Sequence, residues 1–242
     1  GRIPAGTYEK IRRALEANPI DPVVIEEKEK ELDHDLNAFL YERNRFLTPE
    51  LQAFFHQGMT SYDTEESAFV GTLIACCKAV SDDVVGLEGS LERQAKKWRY
   101  TPMNARTHGQ EAGIQSFGKR NLTWYSELIE AKETFDHSLH NLQYSKLTGA
   151  IGNNSDIDPE LEIHALKLMG LRPFHGATQI MPRILYTPIA DALAGLVMVL
   201  DRIANDIRLG SRSGRPLWHE PFGKKQMGSS AMPHKKNNIN GE

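Results

Sequence analysis

Cysteine is nearly missing from this sequence: Cys76 and Cys77 are the only two in 242 residues, and they are adjacent. Neighbouring cysteines suit neither an ordinary disulfide nor a metal centre, which would need further Cys or His at ligand spacing. The pair reads as two small buried side chains in a reducing compartment. One-sided charge is missing as well. The 29 basic and 32 acidic residues are interspersed and leave a formal net charge of -3, so no overall field draws in polyanions and nucleic acid is not an expected partner. An unbroken apolar span is the third absence. The most apolar long stretch, Ile189 to Ile207, is interrupted by Asp191, Asp201 and Arg202, and no charged-then-apolar leader precedes a cleavage-like site. No membrane association is expected, and the protein reads as cytoplasmic.

Strand signals are also scarce. No sustained two-residue alternation bounded by turns occurs, and internal repeats and low-complexity tracts are not evident. What the chain has instead is helical periodicity. From Thr64 to Trp98 the residues Leu73, Cys77, Val80, Val84, Leu87 and Leu91 recur at alternating spacings of four and three, which makes one apolar stripe on a long helix. Phe117, Trp124, Leu128, Ala131, Phe135 and Leu142 form a second stripe in a proline-free region from about Glu111 to Leu142. Ile189, Leu193, Leu196, Leu200, Ile203 and Ile207 form a third. Such helices run to roughly 30–50 Å at about 1.5 Å per residue, longer than a small domain needs internally. An all-α fold with long, near-parallel bundle helices follows. Shorter amphipathic pieces around Thr7 to Ala17, Pro22 to Tyr41 and Pro49 to Phe55 predict a small N-terminal helical domain over residues 1–63, leading into a bundle over 64–242. The chain stops at Asn-Gly-Glu with no helix signal, so the bundle reads as incomplete and the chain as truncated.

The chemistry concentrates in Gly228-Ser229-Ser230-Ala231-Met232-Pro233-His234-Lys235-Lys236-Asn237, where small, hydroxyl, basic and amide residues share a segment too punctuated by Gly and Pro to be helical. Its amides, with Lys235 and Asn237, can surround a carboxylate on which further charge develops, and Ser229 can act as a base if the same positive field stabilises its alkoxide. On composition alone a plain surface loop accounts for the segment equally well. The same segment, however, resembles the signature of the aspartase/fumarase superfamily, whose members eliminate fumarate from substituted succinates or catalyse close relatives of that reaction. The resemblance implies that Ser229 is the catalytic base on a loop that closes over substrate. It also implies that Ser230, Lys235 and Asn237 bind the substrate, the last two through a carboxylate, and that Glu242 is the glutamate completing the pattern. Asn238 stands where a proline usually follows, which changes the stiffness of the loop.

Two histidines bear on the subgroup. His34 lies in Asp33-His34-Asp35-Leu36, where acidic neighbours favour a cationic imidazole, and His108 lies in Arg106-Thr107-His108-Gly109-Gln110, between helical runs. Read alone, each is also compatible with an ordinary surface histidine. Together the segments are similar to those of the adenylosuccinate lyase family. That resemblance implies that His108 protonates the departing amine, a role suited to an imidazole with an ordinary pKa of about 6.5. His34 would hold a phosphate or assist that acid, with Asp33, Asp35 and Thr107 at the substrate.

Met59-Thr60-Ser61-Tyr62-Asp63 resembles a family segment whose hydroxyls bind substrate, although Tyr62 replaces a serine. Ala177-Thr178-Gln179-Ile180 resembles one whose glutamine contacts it, although Ile184 replaces a common aspartate. Thr148-Gly149-Ala150-Ile151-Gly152 is either a plain turn or a substrate contact. The implied activity is cleavage of adenylosuccinate to AMP and fumarate, and of the succinylated aminoimidazole carboxamide ribonucleotide to its amide and fumarate, in purine nucleotide biosynthesis. No metal or other cofactor is implied. The implied partner is a second copy of the chain, in a homotetramer whose active sites are shared between subunits. Carboxymuconate cycloisomerase, argininosuccinate lyase and a non-catalytic lyase-fold structural protein are the competing expectations.

Overall fold

The computed structural model describes residues 3–237 and 239–241; Asn238 and Glu242 lie outside the described residues. The fold is all-α, and it divides into two compact units. One comprises the chain up to Gly71 with Gln143–Pro182, and the other Thr72–Leu142 with the chain from Arg183 onward.

In the first unit, α1 (Thr7–Glu16) is followed by α2 (Pro22–Leu32), α3 (Asp35–Asn44) and the single turn α4 (Pro49–Gln52). The periodic piece from Pro22 to Tyr41 is therefore two helices rather than one. Asp33 ends α2 in the left-handed region at φ 50, a conformation that short polar side chains tolerate, and its N–H reaches Glu29 O. His34 then caps α3, its Nδ1 accepting from Asn37 N at 3.4 Å. The Arg43 guanidinium pairs with the buried Glu42 carboxylate and donates to Asn18 O at 2.9 Å, tying the α1–α2 connection down. Later in the chain, β3 (Tyr144–Ser145) pairs in parallel with β4 (Arg172–Pro173) around α7 (Pro159–Leu168).

The helix α5 (Ser61–Lys97) runs 37 residues, about 55 Å at the usual rise. In the second unit its stripe meets those of α6 (Phe117–Asn141) and α8 (Thr187–Gly210). Cys77, Val84, Leu91, Trp124, Leu128, Phe135, Leu142, Ile189, Leu196 and Ile203 are buried together, as the spacing predicts, whereas Leu200 is 43% exposed. By length and apolar composition Arg183–Gly210 would suffice to cross a membrane. Its buried positions serve this core, and Asp206 accepts from Trp124 Nε1 at 2.8 Å and from Arg120 at 3.2 Å.

The second stripe begins later than the periodicity suggests. Pro102–Thr107 (β1) and Gln110–Ser116 (β2) form an antiparallel hairpin, and α6 starts only at Phe117, where Ser116 Oγ caps Lys119 N at 3.0 Å. A two-residue turn joins the strands, with His108 at φ 54 and Gly109 at φ 75, the pair of positive values that a type I′ hairpin turn requires.

Candidate active site

The candidate residues fall into one set in each unit. In the first unit His34 Nδ1 lies 3.4 Å from Asp35 Oδ1, with both side chains substantially exposed, and Asp33 occupies the junction between α2 and α3. Glu65, one turn into α5, faces this pair. Its Oε1 is buried and has no hydrogen-bond partner among the described residues. Burial, reinforced by the Asp35 charge, pushes the Glu65 carboxyl up from its ordinary value, and His34 partly opposes this. A carboxyl raised in the folded state binds its proton more tightly there than in the unfolded chain. Stability then falls as pH rises from the unfolded value through the raised one. Glu65→Gln is accordingly expected to raise Tm at pH 7, with the gain shrinking as pH falls to the ordinary carboxyl range, when full-length variant and parent are melted side by side.

Thr60 and Ser61 open α5. Thr60 N donates to Asp63 Oδ2 at 2.9 Å, and Gln179 Nε2 reaches Thr60 Oγ1 at 3.5 Å, a weak contact that nevertheless brings two sequence-distant candidates together. The organising group is Asp63, buried to 2% exposure. It accepts from Lys146 Nζ at 2.5 Å, Thr148 N at 2.9 Å and Gly149 N at 3.1 Å, so the glycine-rich segment is fixed against the start of α5. His56, which the sequence reading passes over, sits at φ 63 just before this motif. Its Nε2 is buried without a partner among the described residues, and burial holds its pKa below the usual histidine range. Tyr62 is partly buried, and Ile184 is exposed on a 3-10 turn, Arg183–Tyr186.

In the second unit His108 is exposed at the hairpin tip with Thr107 beside it, and no hydrogen bond to its ring occurs among the described residues. The loop from Gly228 folds back on itself so closely that a Cβ on Gly228 would collide with the Lys235 carbonyl; only glycine fits. Ser229 Oγ accepts from Met232 N at 3.1 Å and Ala231 N at 3.3 Å, and Ser230 is exposed beside it. Lys235 and Asn237 line a groove of about 480 Å³ with His234, Lys236, Arg208, Arg212, Ser211 and Ser213, and no carboxylate is among these residues. Arg208 and Arg212 are a contribution that the signature alone does not reveal. Glu220 helps close the arrangement by accepting from Asn240 N at 3.1 Å and Gly241 N at 3.0 Å.

This surroundings suits a base and an anion. Two N–H groups aimed at Ser229 Oγ favour the alkoxide over the alcohol, and the cationic groove favours a substrate with carboxylate or phosphate groups. Among the described residues no group of three or more His, Cys, Asp or Glu is placed to hold a metal ion.

The profile of a family described as Lyase matches residues 8–242. The chain is 36% identical over 239 residues to adenylosuccinate lyase of Thermotoga maritima, covering 99% of this chain and 54% of the relative. It is 34% identical over 243 residues to adenylosuccinate lyase of Streptococcus mutans, covering 100% and 55%. The chain thus spans about half the length of the curated relatives it matches. Among solved structures, a 3-carboxy-cis,cis-muconate lactonizing enzyme from Pseudomonas putida superposes with TM-score 0.85 at 20% identity, covering 99% of this chain and 54% of that one. A fumarate lyase from a Mesorhizobium species gives 0.80 at 18% identity, covering 87% and 50%. These structural likenesses bear on the fold.

Proposed function

This chain belongs to the Lyase family, and from that membership we propose that the full-length protein cleaves adenylosuccinate to AMP and fumarate, and the succinylated aminoimidazole carboxamide ribonucleotide to its amide and fumarate. The observation that carries this reading is Ser229 Oγ held under two backbone N–H groups on the loop whose later residues line a carboxylate-free cationic groove.

In the proposed anti β-elimination, Ser229 removes the proton next to a substrate carboxylate, and the electron pair collects as a dianionic aci-carboxylate. Lys235 and Asn237, with loop amides, oppose that charge. Collapse of the intermediate forms the carbon–carbon double bond and breaks the carbon–nitrogen bond, while His108 gives a proton to the leaving nitrogen. His34, with Asp33 and Asp35, serves the phosphate or that acid, and Thr60, Ser61, Thr107, Gln179 and Ser230 orient the substrate. Glu242 belongs to the same proposal by its place in the signature. We place the enzyme in the cytoplasm, in purine nucleotide biosynthesis, as a homotetramer with shared sites. The exposed apolar side chains Val85, Val197 and Met198 support self-association.

Turnover of the full-length protein on adenylosuccinate, argininosuccinate and carboxymuconate, followed by fumarate absorbance or substrate loss, tests the reading; activity confined to either of the last two overturns it. His108→Gln should lower turnover on adenylosuccinate by about 10²-fold or more, with a smaller loss on an analogue carrying a better leaving group. Equal losses on the two substrates would remove His108 from the acid role.

A further inference from the structure

A two-stranded hairpin is marginal by itself in water, so the direction in which His108 points depends on what holds the tip of β1 and β2. The register slips between Asn104 and Arg106, which already bends the strands just before the turn. The support comes from the segment that follows α8. Arg212 Nη2 donates to Gly109 O at 3.2 Å, in the turn itself. Arg106 Nη2 donates to Arg215 O at 2.6 Å, and Arg215 Nη1 returns to both oxygens of Glu111, at 3.0 and 3.1 Å. The staple thus catches β1, the turn and β2 in three places. All three contacts are exposed, so none contributes much to overall stability, and the bond to Gly109 O is distinguished by its place, in the turn where His108 and Gly109 both carry positive φ. Arg212 also lines the cationic groove with His234, Lys235 and Asn237.

We infer that Arg212 is a positioning residue that fixes the His108–Gly109 turn and so sets the direction in which the His108 imidazole is presented. This rests on the reading of His108 as the acid. Arg212 acts through His108 and touches no reacting atom, and displacement of a reacting group by about 1 Å can cost up to 10²-fold in rate.

The test is a double-mutant cycle in the full-length protein with adenylosuccinate as substrate, combining Arg212→Met and His108→Gln. Arg212→Met alone should lower kcat about tenfold, over and above any rise in KM from losing one groove cation, and hydrogen exchange of the amides of residues 102–116 should quicken. Arg212→Lys, which keeps a donor for the Gly109 carbonyl, should recover most of the loss. In the His108→Gln background Arg212→Met should add nothing further. Equal factors in both backgrounds, or a loss confined to KM, would overturn the positioning role and make Arg212 a groove cation that binds substrate directly. Full activity of His108→Gln would instead remove the acid itself, a failure distinguishable from the first because it appears without any change at Arg212.

Discussion

Ser229→Ala in the full-length protein is expected to lower kcat on adenylosuccinate by about 10²-fold to 10⁴-fold while KM changes little. A serine hydroxyl is a poor base at neutral pH, so its use requires a site that favours the alkoxide. Ser229 Oγ has that in the N–H groups of Ala231 and Met232, and the same loop continues into the cationic groove. The two donors raise the fraction of Ser229 present as alkoxide, while the charge that develops in the step lies on the substrate carboxylate, opposite Lys235 and Asn237. Alanine removes the proposed base yet leaves Lys235 and Asn237 in the groove, which is why binding should persist. Ser230→Ala separates the two serines: Ser230 is exposed and accepts neither of these amides, so as a substrate-orienting residue its loss should raise KM more than it lowers kcat. Near-full activity of Ser229→Ala, or a larger loss in Ser230→Ala, would end the assignment of Ser229 as base.

The parts of this molecule that are legible in the sequence are those with local periodicity. The stripes on α5, α6 and α8 appear because each buries one face, and Cys77, Val84, Leu91, Trp124, Leu128 and Phe135 lie in the core that their spacing implies. The hairpin is illegible for the converse reason. Most positions of β1 and β2 are exposed, so no buried face imposes an alternation, and the region reads as the approach to α6. The break at Asp33 is hidden because it depends on a left-handed aspartate and a histidine cap, both rarer devices than glycine or serine.

The signature loop is legible as a motif, but its electrostatics are not. Arg208 and Arg212 join His234, Lys235 and Lys236 only because the chain turns back after α8, aided by Glu220 holding Asn240 and Gly241. Likewise Gln179 and Thr60 are 119 positions apart, and only the folded chain shows that they touch.

The buried pair of Asp63 and Lys146 has the same character, separated by 83 positions and announced by no local pattern, and it yields the largest expected effect on stability. Both side chains are fully buried. Besides the ammonium, the carboxylate holds the N–H groups of Thr60, Thr148 and Gly149. The two partners are therefore unequal. In Lys146→Met the carboxylate keeps three N–H donors, whereas Asp63→Ala strips those donors of their acceptor and leaves a buried ammonium uncompensated. Asp63→Ala should cost about 3–5 kcal/mol, a large share of a typical folding margin, and Lys146→Met less. The decisive comparison is the double variant. Because the second change removes the stranded charge, Asp63→Ala with Lys146→Met should be more stable than Asp63→Ala alone, read as midpoints of urea unfolding of the full-length protein. Simple additivity of the two losses would mean that Lys146 escapes to water in the single variant and that the pair does not fix the start of α5. If the prediction holds, Asp63→Ala should also weaken substrate binding in whatever fraction stays folded, since the carboxylate that anchors Thr148 and Gly149 is the one that sets Thr60 and Ser61 at the head of the helix.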